Sequence, residues 1–154
     1  MEEQAAHRFL GSGIQVIRYL LDTNVISELR KTKPHGAVLA WMKTLRVEQI
    51  FLSAVTMAEL QVGVELTRRQ DAVKAREIES WLTFVETTYA FIPMDSACFR
   101  EWARMMAGKS DALREDAMIA ATARVHGFEV ATGDEGDFKR LGVRIVNPFK
   151  ALSR

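Results

Sequence analysis

Short apolar runs alternate with longer amphipathic segments along most of this chain. The runs are rich in β-branched and aromatic residues and have the length of about five to seven residues that is typical of strands. Between them, apolar residues recur at three- and four-residue spacing, which is the period of a helix that buries one face. The predicted strands are VIRYLL, IFLSAV, YAFIPM, FEVAT and VRIVNPF.

Helices are predicted between these strands, and their boundaries carry recognisable signals. Gly108 and Gly127 each follow a periodic segment, in the position where a glycine ends a helix. The predicted helices are NVISELRK, AVLAWMKTLR, TMAELQVGVELTRR, residues 72–85, SACFREWARMMAGK, EDAMIAATARVHG and DEGDFKRL. The resulting order β-α-α-β-α-α-β-α-α-β-α-β predicts a three-layer α/β/α fold with a mostly parallel sheet of four to five strands.

The domain organisation follows from where this pattern begins and ends. Residues 1–15 show no periodicity, and the Gly-Ser-Gly sequence at 11–13 is typical of a flexible segment. We therefore predict a flexible extension over residues 1–15, one domain over residues 16–150 and a tail over residues 151–154. A chain of 154 residues is long enough for one domain with a sizeable core.

Composition excludes several classes of protein. Hydrophobic residues make up 48% of the chain and charged residues 27%, which argues against disorder. No apolar run is long enough to cross a bilayer, and the first residues lack the apolar core of a secretory signal. The single cysteine, Cys98, cannot form an internal disulfide. These features predict a cytoplasmic protein without membrane attachment, while a net charge of +1 gives no further indication.

Four acidic residues occupy one kind of position, the junction between a predicted strand and the following helix. They are Asp22, Glu59, Asp116 and Asp134. In a parallel α/β fold such junctions lie along one edge of the sheet, where ligands bind. Carboxylates that are crowded together oppose one another's ionisation unless cations neutralise them. The pattern therefore predicts a divalent metal site with oxygen ligands, which is typical of phosphoryl or phosphodiester chemistry.

Each acid also has a purely structural interpretation. Asp22 can cap a helix, and Glu59 completes a capping box with Thr56. Asp116 lies in a first helical turn, where the helix dipole stabilises acids. Asp134 fits a turn, TGD. Any one of these interpretations would suffice alone, but four acids at the same kind of junction favour a common site.

Other chemistries find less support in the sequence. The three histidines lie in the predicted extension, a loop and a helix end, and none is near a serine or cysteine motif. Cys98 falls on the core-facing side of a predicted helix, which favours a buried, inert thiol. A phosphatase with two aspartates after its first strand would need an acid where the chain has Asn24.

Five separated motifs, in order, closely resemble those of the PIN-domain ribonucleases. They are DTNVISE, LSAVTMAEL, DAMIAATA, VATGDEGDF and VNPF, and the resemblance covers about residues 18–149. The similarity is to the VapC/FitB toxins of bacterial type II toxin–antitoxin systems. It implies a PIN-like fold, a Mg²⁺- or Mn²⁺-dependent endoribonuclease, and an RNA substrate. It also implies a small VapB- or FitA-like antitoxin that blocks the active site, and a toxin homodimer.

The resemblance assigns roles to individual residues. Asp22, Glu59, Asp116 and Asp134 match the family's four acidic positions, and Asp22 and Asp116 match its most regular metal ligands. Thr132 matches a threonine that supports the fourth acid. Because many members carry their fourth acid three residues later, the choice between Asp134 and Asp137 stays open, as does the number of metal ions.

The second hypothesis is a PIN-fold module that binds RNA or protein without catalysis. Self-repelling carboxylates would bring no advantage to a binding surface, so the four acids together favour the enzyme.

Overall fold

The structure of the protein is a computed structural model that describes residues 9–10 and 14–150. The strands are β1 (Phe9–Leu10), β2 (Ile14–Gln15), β3 (Tyr19–Leu21), β4 (Ile50–Ser53), β5 (Ala90–Ile92), β6 (Glu129–Ala131) and β7 (Ile145–Val146). The helices are α1 (Thr23–Glu28), α2 (Gly36–Lys43), α3 (Ala54–Arg68), α4 (Ala72–Thr88), α5 (Ser96–Met106), α6 (Arg114–His126) and α7 (Glu135–Arg140). Single 3₁₀ turns lie at Val47–Gln49 and Asp111–Leu113.

Over residues 16–150 the strands form one sheet in the order β5-β4-β3-β6-β7, and every pairing is parallel. The central strand β3 pairs Leu21 with Leu52 on one side and with Ala131 on the other. The prediction of a mostly parallel sheet of four to five strands is confirmed. The order of helices and strands along this part of the chain is also the predicted one.

Two layers of helices cover the sheet because successive strand residues face opposite sides. Leu20 and Val130 pack on one side in a core with α5, α6 and α7. Their neighbours Leu21 and Ala131, with Leu52, pack on the other side with α1, α2 and α4. Continuous apolar strands are expected of a parallel sheet that is buried on both faces. The three-layer α/β/α prediction is therefore confirmed.

The strands are shorter than the apolar runs that predict them. The run 16–21 contributes only Tyr19–Leu21 to the sheet, and the run 143–149 contributes only Ile145–Val146. The helix ends agree more closely, since Gly108 and Gly127 both adopt the left-handed conformation that the predicted helix ends require.

Most of the predicted extension and the predicted tail over residues 151–154 lie outside the described residues. Phe9–Leu10 pairs antiparallel with Ile14–Gln15, a contact that the sequence pattern did not predict. The division into extension, domain and tail stays a prediction.

Two predictions from composition can be compared with the described residues. Cys98 is fully buried on α5, as its position on the amphipathic pattern predicts. In the same part of the chain, none of the helices combines the length and apolarity that a membrane crossing requires.

Candidate active site

The carboxyl ends of three parallel strands lie side by side at one edge of the sheet. Asp22 follows β3, Ser53 ends β4, and Thr132 follows β6. The backbone N–H of Asp22 donates to the carbonyl of Ala131 at 2.8 Å, so the β3–β6 ladder continues to the first acid. This edge is where open α/β sheets bind their ligands.

Asp22 is a nearly buried carboxylate with its orientation fixed by several donors. Its Oδ1 accepts from the backbone N–H of Thr23 at 2.8 Å, which confirms its predicted capping role. Its Oδ2 accepts from the Thr132 hydroxyl at 2.8 Å and from the Asn24 amide at 3.3 Å. The side chain is 6% exposed, so these bonds replace most of its hydration.

Thr132 connects Asp22 to Asp134 through its hydroxyl group. Its hydroxyl donates to Asp22 and accepts from the backbone N–H of Asp134 at 2.8 Å. Asn24 makes a parallel connection, because its Oδ1 accepts from the backbone N–H of Gly133 at 3.2 Å. The turn after β3 and the turn after β6 are therefore tied together by two side chains. Thr132 supports both acids rather than the fourth alone.

Glu59 does not form the capping box that the sequence predicts. Helix α3 begins at Ala54, and its N-cap is Ser53, whose hydroxyl accepts from the backbone N–H of Val55 at 3.0 Å. Glu59 thus lies well inside the helix, and its carboxylate accepts a short hydrogen bond from the Thr23 hydroxyl. The capping interpretation is wrong because a better cap occurs earlier in the chain.

Three further carboxylates converge beside Asp22. Asp116 from the first turn of α6, Asp134 at the N-cap of α7 and Asp137 in the first turn of α7 each offer an oxygen within 4.8 Å of the others. We call these residues the acidic triad. Asp137 also accepts from the Arg140 guanidinium at 2.7 Å. The structure therefore brings together Asp134, the predicted fourth acid, and Asp137, its alternative.

The pKa values of Asp116 and Asp22 are raised at this edge of the sheet. Burial, together with the charges of Asp22, Asp134 and Asp137 and a hydrogen bond with Asp137, raises the pKa of Asp116 to about 7. The pKa of Asp22 is also raised, mainly by burial and to a lesser degree by the charges of Glu59 and Asp134. The hydrogen bonds from Thr132 and Thr23 act in the opposite direction. Without a cation, this site resists full ionisation near neutral pH.

The raised pKa values predict how the stability of the metal-free protein depends on pH. In the unfolded chain the Asp116 carboxyl has its ordinary pKa of 3.8, and in the fold its pKa is about 7. The folded state thus holds more protons between these values, so its stability falls as pH rises through 7. We expect a lower melting temperature at pH 8 than at pH 5.5 in EDTA, measured by circular dichroism. A wild-type melting temperature that is equal at both pH values would contradict this electrostatic description.

Comparison with known proteins identifies the family. A family model described as PIN domain matches residues 19–143. The chain belongs to the PIN domain family. The match covers β3 to the segment just before β7, and hence every acid at the site.

Individual relatives show which members of the PIN domain family this chain resembles. A VapC ribonuclease from Sinorhizobium fredii is 40% identical over 139 residues, covering 85% of this chain and 97% of that protein. Toxin FitB from Neisseria gonorrhoeae is 36% identical over 138 residues, covering 84% of this chain and 97% of that protein. The solved structure of FitAcB from Neisseria gonorrhoeae matches with a TM-score of 0.68 at 36% identity, covering 85% and 98% of the two chains. The resemblance to the VapC/FitB toxins is confirmed.

Two polar contacts of this PIN domain differ in how far the sequence indicates them. The pairing of Asp137 with Arg140 follows an i, i+3 spacing on α7, a pattern that is visible in DEGDFKR. The bonds of Asn24 to Asp22 and Gly133 leave no such signal, because residues 24 and 133 are far apart in the chain. The contact between Asn24 and Gly133 can be predicted only once the pairing of β3 with β6 is known.

Proposed function

We propose that this protein is a divalent-metal-dependent endoribonuclease that acts as the toxin of a type II toxin–antitoxin pair. The observation that carries the proposal is the convergence of the acidic triad with Asp22 at the carboxyl edge of the sheet. Membership of the PIN domain family and the VapC ribonuclease relative support the same conclusion.

The donor groups fit Mg²⁺ or Mn²⁺. All of them are carboxylate oxygens, which are the ligands that these hard cations prefer. Burial and the neighbouring carboxylates both raise the pKa of Asp116, and a dication would neutralise the negative charge of those carboxylates. Asp22, Asp116 and Asp134 are proposed to hold the cation. When bound, it would supply Lewis-acid activation of the phosphodiester and a more acidic water.

The protein's own residues prepare the site. Thr132, Thr23 and Asn24 fix the carboxylate of Asp22, so little reorganisation is needed when a cation binds. Glu59 is proposed as a further ligand or as the base that orients the attacking water. The Thr23 hydroxyl holds its carboxylate in place. Hydrolysis then breaks the bond between phosphorus and the 3′-oxygen of the RNA backbone.

The partners are proposed by similarity. The solved FitAcB structure and the relative Toxin FitB support an antitoxin partner. From the resemblance to the VapC/FitB toxins, we propose that this antitoxin is small and covers the active site, and that the toxin forms a homodimer. A short open reading frame beside the gene, whose product copurifies with this protein, would be the expected partner.

The experiment that tests the proposal combines a chelator with two readouts. We expect EDTA to stop cleavage of purified cellular RNA, and excess Mn²⁺ to restore it. Free Mn²⁺ at a hundredfold excess over its Kd should also stabilise the fold by about 2.7 kcal/mol, measured by thermal melting. Cleavage that EDTA leaves unchanged, together with no thermal response to Mn²⁺, would contradict the proposal. Binding of RNA or protein in that case would favour the non-catalytic module.

A further inference from the structure

A short segment after β7 packs directly against the loop that carries Asp134. We define this closing segment as Asn147–Lys150. It lies outside the residues of the acidic triad and supplies no carboxylate to them. Three of its contacts nevertheless lie on Gly133 and Glu135, the residues on either side of Asp134.

The Phe149 ring rests on the backbone of Gly133. A Cβ atom built on Gly133 would lie 2.9 Å from Cδ1 and 3.0 Å from Cε1 of the ring, closer than real side chains approach. The ring also meets His35 edge-on with the ring centres 5.5 Å apart, and it packs against the core beneath the sheet that contains Leu21. Since Gly133 directly precedes Asp134, the aromatic ring limits where the fourth acid can lie.

Polar contacts hold the closing segment in register with α7. The Asn147 side-chain amide donates to Glu135 at 2.7 Å, and the Lys150 ammonium lies 2.7 Å from the same carboxylate oxygen. The other end of the Asn147 side chain accepts from the backbone N–H of Phe149 at 2.9 Å. The closing segment therefore binds Glu135, the residue after Asp134, through polar contacts. Its Phe149 ring packs on Gly133, the residue before Asp134.

We propose that the closing segment is a positioning element for the metal site, with Phe149 as the positioning residue that sets the placement of Asp134. This inference rests on the proposed metal-dependent function. Phe149 touches no reacting group and acts through the Gly133 backbone. Residues that orient metal ligands in this way are usually worth about 10- to 100-fold in metal affinity.

The first test compares Phe149→Ala with Phe91→Ala. Both phenylalanines are half-buried and pack against the same core, but Phe91 lies on the edge strand β5. We expect Phe149→Ala to raise the Kd for Mn²⁺ about tenfold by isothermal titration calorimetry. Phe91→Ala should lower the melting temperature while leaving that Kd within about twofold. Equal effects of the two variants on the Kd would overturn the proposal. If Phe149→Ala fails to fold, Phe149→Leu serves in the same comparison.

The second test uses the close approach at Gly133. Gly133→Ala should weaken Mn²⁺ binding about tenfold, because its new methyl group meets the ring and displaces the loop. In the Phe149→Ala background the obstacle is gone, so the double variant should bind Mn²⁺ about as well as Phe149→Ala alone. Independent, multiplying effects of the two substitutions would overturn the proposal.

Amide hydrogen exchange tests the positioning role of Phe149 independently of the proposed metal binding. The backbone N–H of Asp134 is bonded to Thr132, so its exchange reports the placement of the loop without any metal. We expect exchange at Asp134 to accelerate in Phe149→Ala and to stay unchanged in Phe91→Ala. Unchanged exchange in both would overturn the positioning role. A wild-type protein that binds no Mn²⁺ would contradict the proposed function, while the exchange comparison would still decide the role of Phe149.

Discussion

Asp116→Asn is expected to abolish metal-dependent RNA cleavage while making the metal-free protein more stable at pH 8. The substitution removes one proposed ligand and also the charge that Asp22, Asp134 and Asp137 oppose. Loss of cleavage by at least about a thousandfold corresponds to about 4 kcal/mol of transition-state stabilisation. The melting temperature should rise at pH 8 and lose most of its dependence on pH between 5.5 and 8.

A matched acid provides the control for this prediction. Asp111 lies just before α6 with a side chain that is 84% exposed, and it pairs with Arg114 at the start of that helix. Asp111→Asn should leave cleavage, the pH dependence and the thermal response to Mn²⁺ unchanged. Full activity of Asp116→Asn under the same conditions would exclude the proposed role of the acidic triad.

Thr132→Val is expected to weaken both the fold and the metal site. The hydroxyl is fully buried and serves Asp22 and the Asp134 backbone at once. Removing it leaves a nearly buried carboxylate short of a donor, which costs about 1–3 kcal/mol of stability. It also frees two proposed ligands, so the Kd for Mn²⁺ should rise about 10- to 100-fold. Chemical denaturation and calorimetry measure the two effects separately.

Thr122→Val is the corresponding control. Thr122 is equally buried, but its hydroxyl donates to the backbone carbonyl of Met118 within α6, at 2.9 Å. The same hydroxyl lies 3.4 Å from the sulfur of Met94, and neither contact involves a carboxylate of the site. We expect its loss to change the Kd for Mn²⁺ by less than about twofold. A Thr132→Val variant that behaves like this control would contradict the bridging role of Thr132.

The order of elements was predictable because the periodicity changes sharply at each junction. Gly127 illustrates this, since it ends the Ala-rich helix α6 with φ of 74° in the place that the pattern requires. Strand lengths were harder to predict. Apolar residues of the run 143–149 lie beyond the two residues that pair, because Pro148 and Phe149 bury their side chains by packing rather than in the sheet.

The sequence indicated which acids lie at the site better than it indicated their contacts. The predicted strand-to-helix junction is correct for Asp22 and Asp134 but wrong for Asp116, because α6 follows helix α5 and a 3₁₀ turn rather than a strand. The role of Glu59 was misjudged because Thr56 and Ser53 are both good caps. Only the structure shows which cap begins the helix. The proximity of Phe149 to Gly133 was not predictable at all, since it depends on where the chain turns after β7.

The bond between Thr132 and Asp22 joins residues 110 positions apart. A contact of such separation cannot form until both residues have been synthesised, and closing so long a loop also costs chain entropy. A ribosome must therefore have released Thr132 before the carboxylate of Asp22 acquires its buried donor. The same holds for Asp134 and Asp137, which belong to the acidic triad. We expect an unfinished copy of this protein to be harmless to the RNA that surrounds it during synthesis.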